Sequence, residues 1–584
     1  MDALRSSFLC TISNLNPNTR KSQPPKSTSS PCILLLAIAR KANDSDDDIA
    51  PSTKRCAMIL RSLDDFIKNY IEPPLLRPSL DPRLVLSDNY APITEELPPT
   101  ECELIQGSLP PCLDGAYIRN GPNPQFLPQG RPYHLFDGDG MLHSIRISQG
   151  RAMLCSRYVK TYKYTVEREA GYPLFPSIFS SFNGLLASTM HVALLAARII
   201  AGHLNLANGF GVANTSLILF GNRLYALCES DLPYAVRLTS NGDIQTMGRH
   251  HFDQKLSEGM TAHPKIDPET GETFAFRYRP VPPFLTYFRF NADGTKQPDV
   301  PIFSMRRPSI IHDFAITKKY AVFVDIQVTL DPIKMITTGG SPVVFDPSKV
   351  TRIGVLPRYA VDESEMRWFN VPGLNILHTI NAWDDDQEDD LDTDTIVLVA
   401  PNVLSPQYIF ERWDLFRSSV EKMRINLKTG IVTRQPISVR NIEFGMINRA
   451  YVGKKNKFVY GSVPGETMLA DDHSIPKCAG VVKLDLDVSS DGGERTVACR
   501  MYGPNCYGGE PFFVAREPEN PNAEEDDGYV VSFVHDEKTG ESRFLVMDAK
   551  SQQLDIVAAL KLPRRVPYGF HGLFVKESDL QKLY

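Results

Sequence analysis

The sequence predicts an all-β fold of the propeller type, on three observations. From about Leu104 onward, short β-rich runs alternate with turn signals, and helical periodicity is almost absent. Four of those signals, Ser240-Asn241-Gly242-Asp243, Asn291-Ala292-Asp293-Gly294, Lys428-Thr429-Gly430 and Lys538-Thr539-Gly540, each separate two such runs, as hairpin loops do. The chain is also long: 584 residues exceed the usual size of one hydrophobic core and by default imply three or four domains. Radial repetition of small sheets lifts that limit, and many hairpins at roughly even spacing favour a propeller over a sandwich. No clean sequence repeat accompanies the pattern.

Composition is that of an ordinary globular protein, 42% hydrophobic and 23% charged, with ample material for a core. A formal net charge of −6, and no basic stripe interleaved with aromatics, argue against nucleic acid as a partner because anionic backbones would be repelled. The ten cysteines form no CxxC pair and no regular spacing. They read as reduced thiols in a reducing compartment such as cytosol or plastid stroma, not as a disulfide frame or zinc site.

Residues 1–43 stand apart. After Asp2 no acidic residue occurs before Asp44, while Arg5, Arg20, Lys21, Lys26, Arg40 and Lys41 accompany a dense run of Ser and Thr, the composition of an organellar transit peptide. The alternative is a secretory signal built on the apolar run Cys32 to Ala39, but that run lies far from the N-terminus, behind Pro24-Pro25 and Pro31, so plastid import is the better reading. Residues 44–100 read as a linker and an amphipathic helix. Asp44 to Thr53 is mostly polar, and Cys56 to Glu72 then places Ile59, Leu63, Phe66, Ile67 and Tyr70 at helical spacing until Pro73-Pro74 ends it. That helix either docks on the body or faces a membrane. The β-rich domain covers 101–584.

Within an insertion at about 171–210, Leu185 to Leu206 breaks the β pattern: it is rich in Leu, Ala and Ile, has no acidic residue, and looks helical. A span needs about 20 mainly apolar residues. Thr189, His191, Arg198 and His203 interrupt this one, which disfavours crossing a bilayer. A helix with so weak a polar face must bury itself in protein or lipid, as a cap over the propeller or as an in-plane helix at a lipid boundary, and the second is favoured. The acidic runs Asp384 to Asp394 and Glu524 to Asp527 read as solvated loops; a calcium site would need the alternation and glycine of an EF-hand. Asp137-Gly138-Asp139-Gly140 reads as a tight turn.

Four histidines, His263, His312, His378 and His571, lie in four separate strand-like contexts spread over more than half the chain. Imidazole is the commonest protein ligand for first-row transition metals, and the scatter suggests one metal held by a closed, circular fold. Spacing alone leaves open four hydrogen-bonded core histidines, since no local signature such as HExxH is present.

Nine strings settle which reading to carry forward: RNGPNPQF (119–126), HLFDGDGMLH (134–143), SRYVKTYKY (156–164), ESDLPYAVRL (229–238), MTAHPK (260–265), FAFRY (274–278), IHDFAIT (311–317), YGGEPFFVAR (507–516) and VPYGFHGLFV (566–575). In this order and at these intervals, from about Pro98 to the C-terminus, the chain resembles the plant carotenoid cleavage dioxygenases, most closely the type-4 branch. The resemblance implies a seven-bladed β-propeller with a helical cap and membrane-facing helices over its top face. It implies that His263, His312, His378 and His571 hold one non-haem Fe(2+) per subunit. Glu229, Glu443 and Glu510 fall on motif positions whose carboxylates accept the other N–H of ligating imidazoles and offset the ion's charge; a surface ion pair is the alternative for each.

The implied reaction adds dioxygen across one polyene double bond and yields two apocarotenoid carbonyl products, and the type-4 branch points to the 9,10 (9′,10′) bond. Cleavage of 9-cis-epoxycarotenoids or of shortened apocarotenoids is the alternative within the family. Leu377 precedes His378 where epoxycarotenoid-cleaving members commonly place Phe, a departure that favours type 4. An alternative of another class is an inactive carotenoid-binding propeller, which would be expected to have lost ligands. Phe570 and Phe444 are candidates for a tunnel wall, with ordinary core packing as the competing role. The implied partners are a carotenoid, dioxygen and, peripherally, plastid membrane or plastoglobule lipid. The implied location is a plastid, chloroplast or chromoplast, at the plastoglobule or thylakoid surface.

Overall fold

Each of the four turn signals joins two antiparallel strands: Tyr234–Leu238 to Ile244–Arg249, Leu285–Phe290 to Val300–Ile302, Ser418–Asn426 to Val432–Pro436, and Gly528–Asp536 to Glu541–Asp548. The glycine in each turn has φ between +74° and +86°, a conformation that costs other residues their Cβ clearance. The structure, a computed structural model, describes residues 49–72, 78–128, 131–182, 184–338, 341–385, 394–438, 440–465, 475–487 and 494–583. The expected transit segment 1–43 and most of the first acidic run, 386–393, lie outside these residues.

The strands form successive antiparallel sheets along the chain. A five-stranded sheet over residues 97–158 is followed by four-stranded sheets over 216–249, 265–302, 315–370 and 381–436, and then by a ten-stranded ladder over 443–561. A two-stranded ribbon, Val328–Leu330 with Val343–Phe345, stands beside them. The ends interlock: Gly572–Lys576 pairs with Gly115–Pro122 in the first sheet, and Glu103–Gly107 pairs with Ile556–Lys561 in the last. Such exchange hides edge strands that would otherwise offer unpaired backbone groups.

Apolar side chains fill the spaces between neighbouring sheets. Phe220 and Tyr225 meet Phe288 and Phe290; Phe274 and Phe276 meet Phe314 and Phe323; Val322 and Ile353 meet Ile396 and Leu398; Trp383 and Val397 meet Val459 and Val482. The circle closes where Tyr117 and Ile118 of the first sheet pack on both Leu217 and Leu224 of the second and Phe533 and Phe544 of the last. The alternation of buried and solvent-facing residues expected of half-exposed strands is therefore muted, because most strands are covered on both faces.

The helices depart from expectation in their bounds. The N-terminal helix runs Ile49–Phe66 and continues as a π turn, Ile67–Ile71, so it begins before Cys56. Pro51 falls in its first turn, where a missing N–H costs nothing. The second helix, Leu185–Ile200, stops short of Leu206 where Gly202 turns left-handed at φ +75°. Leu60 and Ile67 of the first pack on Leu194 and Ala197 of the second. Beneath them His191, Arg198, Asp64 and Glu72 form a buried polar cluster, with His191 Nε2 2.5 Å from Glu72 Oε1 and Arg198 Nη2 3.3 Å from Asp64 Oδ2. Met58, Tyr70, Leu185, Leu186 and Ile200 remain exposed. Among the described residues no helix is long and apolar enough to cross a membrane.

Two further features were not legible in the pattern. Tyr162–Ala170 is a helix, begun by Thr161 Oγ1 accepting from Tyr164 N at 3.1 Å and ended by Gly171 at φ +76°. The second acidic run is docked, not solvated: Glu525 accepts the N–H of Lys457 and of Phe458, both at 2.7 Å, and Asp526 pairs with buried Lys483 at 2.5 Å. Backbone donors at the start of Phe458–Pro464 needed acceptors, and a carboxylate from another loop supplies them.

Candidate metal centre

Each of the four histidines sits one to three residues before the edge strand of a different sheet: His263 before Lys265–Ile266, His312 before Ala315–Ile316, His378 before Asn381–Asp384 and His571 before Gly572–Lys576. They are thus in extended segments at strand mouths, not within strands. That shared placement brings them together. Their ligand atoms all lie within 4.8 Å of one another, and His263 Nε2 is 3.0 Å from His312 Nε2.

The three carboxylates singled out from the sequence stand behind three of the rings. Glu229 Oε1 is 2.5 Å from His312 Nδ1, Glu443 Oε2 is 3.2 Å from His378 Nδ1, and Glu510 Oε1 is 2.8 Å from His571 Nδ1. An ionised carboxylate only accepts, so each bond fixes the proton on Nδ1 and leaves Nε2 as a bare lone pair aimed at the centre. Burial holds His263 well below the usual imidazole range, reinforced by its three histidine neighbours. Burial likewise lowers His378, although its hydrogen bond to Glu443 opposes the shift. At His312 burial works the same way, but the charge and hydrogen bond of Glu229 outweigh it and the pKa is raised.

These residues fit a metal ion. His378 Nε2 is buried and has no hydrogen-bond partner, a cost of about 1–3 kcal/mol unless something binds it. A proton shared across the 3.0 Å gap between His263 and His312 would satisfy that pair and leave His378 stranded; one cation satisfies all. Two imidazole nitrogens at right angles, each about 2.1 Å from an ion, lie about 3 Å apart, which is the His263–His312 spacing. Four neutral nitrogens suit a first-row transition ion.

Other residues hold the set in place. Glu510 Oε2 also accepts Gly572 N at 2.8 Å, so one carboxylate fixes both the His571 ring and its backbone. Gly572 must be glycine: a Cβ there would lie 2.4 Å from Tyr117 Oη, and Tyr117 is wedged among Phe512, Phe533 and Phe544. Tyr278 donates its hydroxyl to Glu229, a contact not anticipated from the sequence. The ring of Phe444 lies 5.9 Å from His378 and 5.6 Å from His571, presented by a backbone at φ +53°. Phe570 touches Phe136 at 5.5 Å, and Phe136 touches Phe179, Phe410 and Trp413, so an aromatic wall leads away from His571. Only Phe444 and Phe570 of this wall were candidates from the sequence. The expected tight turn at Asp137–Gly140 is not formed: Asp137 ends the 3-10 helix Leu135–Asp137, Gly138 is extended and Gly140 opens a strand, where a Cβ would meet Ala213 O at 2.3 Å. Asp137 secures the wall by accepting Phe179 N at 3.2 Å and Ser180 Oγ at 2.9 Å; burial raises its carboxyl to about 6. On the other side His263, His378 and His571 open onto a cavity of about 740 Å³.

A propeller-type all-β fold with four imidazoles converging on one point defines a protein built to hold a single transition-metal ion. Comparison with known proteins then gives the family. The retinal pigment epithelial membrane protein profile matches residues 90–576. The chain is 60% identical over 541 residues to "Probable carotenoid cleavage dioxygenase 4, chloroplastic" of Arabidopsis thaliana, covering 92% of this chain and 88% of that protein. It is 55% identical over 527 residues to the rice "9-cis-epoxycarotenoid dioxygenase NCED1, chloroplastic", covering 89% and 80%. Its fold matches the crystal structure of a cobalt-substituted apocarotenoid oxygenase from Synechocystis with a TM-score of 0.67 at 25% identity, over 85% of this chain and 99% of that one. The chain belongs to the retinal pigment epithelial membrane protein and carotenoid cleavage dioxygenase family, a family of non-haem iron oxidoreductases.

Proposed function

We propose that this protein cleaves a carotenoid by dioxygen at the 9,10 (9′,10′) double bond, using one Fe(2+) held by His263, His312, His378 and His571. The observation that carries the reading is the convergence of four Nε2 lone pairs, three of them oriented by Glu229, Glu443 and Glu510. Bound iron supplies the redox chemistry that lets dioxygen react with a double bond. The reaction balances without another reductant: one C=C and one O₂ become two C=O, and both oxygen atoms end in products.

The protein's own work is orientation and exclusion of water. Phe444 presents its ring beside His378 and His571, and Phe570 packs on Phe136 in the aromatic wall; both stabilise transient positive charge on a polyene. Burial of a long hydrocarbon gains roughly 25 cal/mol per Å² but is indifferent to which bond sits at the centre. The aromatic wall from Phe570 to Phe410 therefore sets the register.

The finer architecture belongs to the same proposal. The ten-stranded ladder is two blades joined through the short strand Cys506–Gly508, which brings the count to seven. The helices 49–71 and 185–200 cap the top face and rest their exposed Met58, Tyr70, Leu185, Leu186 and Ile200 on plastid membrane or plastoglobule lipid. Residues 1–43 act as the plastid transit peptide, a location that accords with the chloroplastic relatives. The eight described cysteines are all free, as a reducing stroma requires.

Iron-loaded protein given β-carotene or zeaxanthin under ¹⁸O₂ is expected to release paired carbonyl products whose masses place the cut at 9,10 and carry label in both halves. Products of a different bond overturn the position, and an unbleached polyene overturns the enzyme in favour of a carotenoid-binding protein. The similarity to an epoxycarotenoid dioxygenase favours a second reading, cleavage of 9-cis-epoxycarotenoids, which the same assay with such a substrate decides.

Glu510→Gln is expected to lower iron affinity about 10–100-fold, the usual cost of losing an outer partner of a ligating imidazole. The amide keeps one acceptor oxygen but turns an NH₂ toward either His571 Nδ1–H or Gly572 N–H, donor against donor. Metal titration checks it; unchanged affinity contradicts the role given to Glu510.

A further inference from the structure

A fourth carboxylate, Asp313, touches none of the four imidazoles yet reaches three of the segments that carry them. It is 5% exposed. Its Oδ2 accepts Thr379 N at 2.8 Å and lies 2.9 Å from Thr379 Oγ1, and its Oδ1 pairs with Lys265 Nζ at 2.8 Å and accepts Phe314 N at 2.7 Å. Lys265 lies two residues after His263, Asp313 follows His312, and Thr379 follows His378. These three segments lead into three different sheets.

We propose that Asp313 is a positioning residue that fixes the spacing of His263, His312 and His378, and so the geometry and affinity of the metal centre. The inference rests on the reading of those histidines as metal ligands. Ladder hydrogen bonds run within a sheet, so they hold each histidine along its own sheet and leave the distance between sheets to side-chain contacts. Asp313 supplies that missing dimension with an ion pair to one neighbour and backbone and hydroxyl bonds to the other. Charge-assisted bonds of this kind are about twice as strong as neutral ones, and burial spares them from screening. The Thr379 hydroxyl also lies 2.7 Å from Phe314 O, so its proton is shared, whereas the Thr379 N–H goes to Asp313. The remaining ligand, His571, is tied separately through Glu510.

Asp313→Asn separates this role from simple bulk. The amide retains one acceptor oxygen, so either Lys265 or Thr379 must face its NH₂, and one inter-sheet tie breaks. The full-length protein, freed of metal and titrated with Co(2+), is the test, read by affinity and by the visible ligand-field bands that report donor geometry. Asp313→Asn is expected to weaken Co(2+) binding about 10–100-fold and to shift those bands. Lys265→Met, which removes the ion pair, is expected to do so to a smaller degree, and Thr379→Val less again, because valine keeps the Thr379 N–H bond to Asp313. A folded Asp313→Asn with wild-type affinity and spectrum overturns the proposal. If Asp313→Asn does not fold, wild-type affinity and spectrum in Lys265→Met overturn it equally. A wild-type protein that binds no metal overturns the underlying ligand assignment and this inference with it, whereas a metal-binding wild type beside an indifferent Asp313→Asn sinks the inference alone.

Discussion

Alanine at His263, His312, His378 or His571, introduced singly, is expected to empty the proposed centre of iron and to abolish polyene bleaching. Each substitution removes one of four donors that lie within 4.8 Å of one another and leaves the other three lone pairs facing without a complete shell. The loss exceeds the roughly 10–100-fold that follows removal of an outer partner, because a direct ligand is deleted. Elemental analysis of iron per chain, with bleaching of β-carotene and far-ultraviolet circular dichroism on the same samples, checks it. A folded alanine variant that keeps full iron and full turnover takes that residue out of the ligand set. His378 is the most telling position, since among the four histidines it is the one whose Nε2 is buried without a hydrogen-bond partner.

Phe314→Ala is expected to destabilise the protein by about 3–5 kcal/mol, the range for deleting a buried aromatic side chain. Phe314 is fully buried, stacks on Phe323 at 5.5 Å and 12°, and meets Phe276 edge-on at 5.1 Å. It also lies two residues after His312, so the cavity it leaves opens beside a ligand-bearing segment and iron affinity falls together with stability. The midpoint of urea unfolding measures the first effect and metal titration the second. Phe314→Leu recovers most of both, because it refills much of the volume. A loss below about 1 kcal/mol for the alanine variant would mean that the inter-sheet core collapses around the gap instead of holding its shape.

What the sequence discloses here is what local chemistry dictates. The four hairpin turns were legible because Gly242, Gly294, Gly430 and Gly540 supply the left-handed backbone such loops need. The three carboxylates and four histidines were legible only through family resemblance, since His312 and Glu229 stand 83 residues apart and His378 and Glu443 stand 65 apart. No spacing rule spans such distances. Asp313 with Thr379 and Lys265, Tyr278 with Glu229, and the wall of Phe136, Phe179, Phe410 and Trp413 stayed hidden for the same reason: they join sheets or loops far apart in the chain, and such contact leaves no periodic trace. The helix Tyr162–Ala170 escaped because its apolar positions are few and its start depends on one Thr161 hydroxyl. Glu525 and Asp526 looked solvated because a run of like charge usually is; the partners that bury them come from elsewhere in the fold.

The fourth of the proposed donors, His571, leads into the last strand of the described residues. Gly572–Lys576, entered directly from His571, is also the piece that completes the sheet begun near the N-terminus. On the proposed assignment, three donors belong to segments between residues 263 and 378, and the fourth is set in place only when this strand docks on Gly115–Pro122, so closing the ring of sheets and completing the donor set are one event.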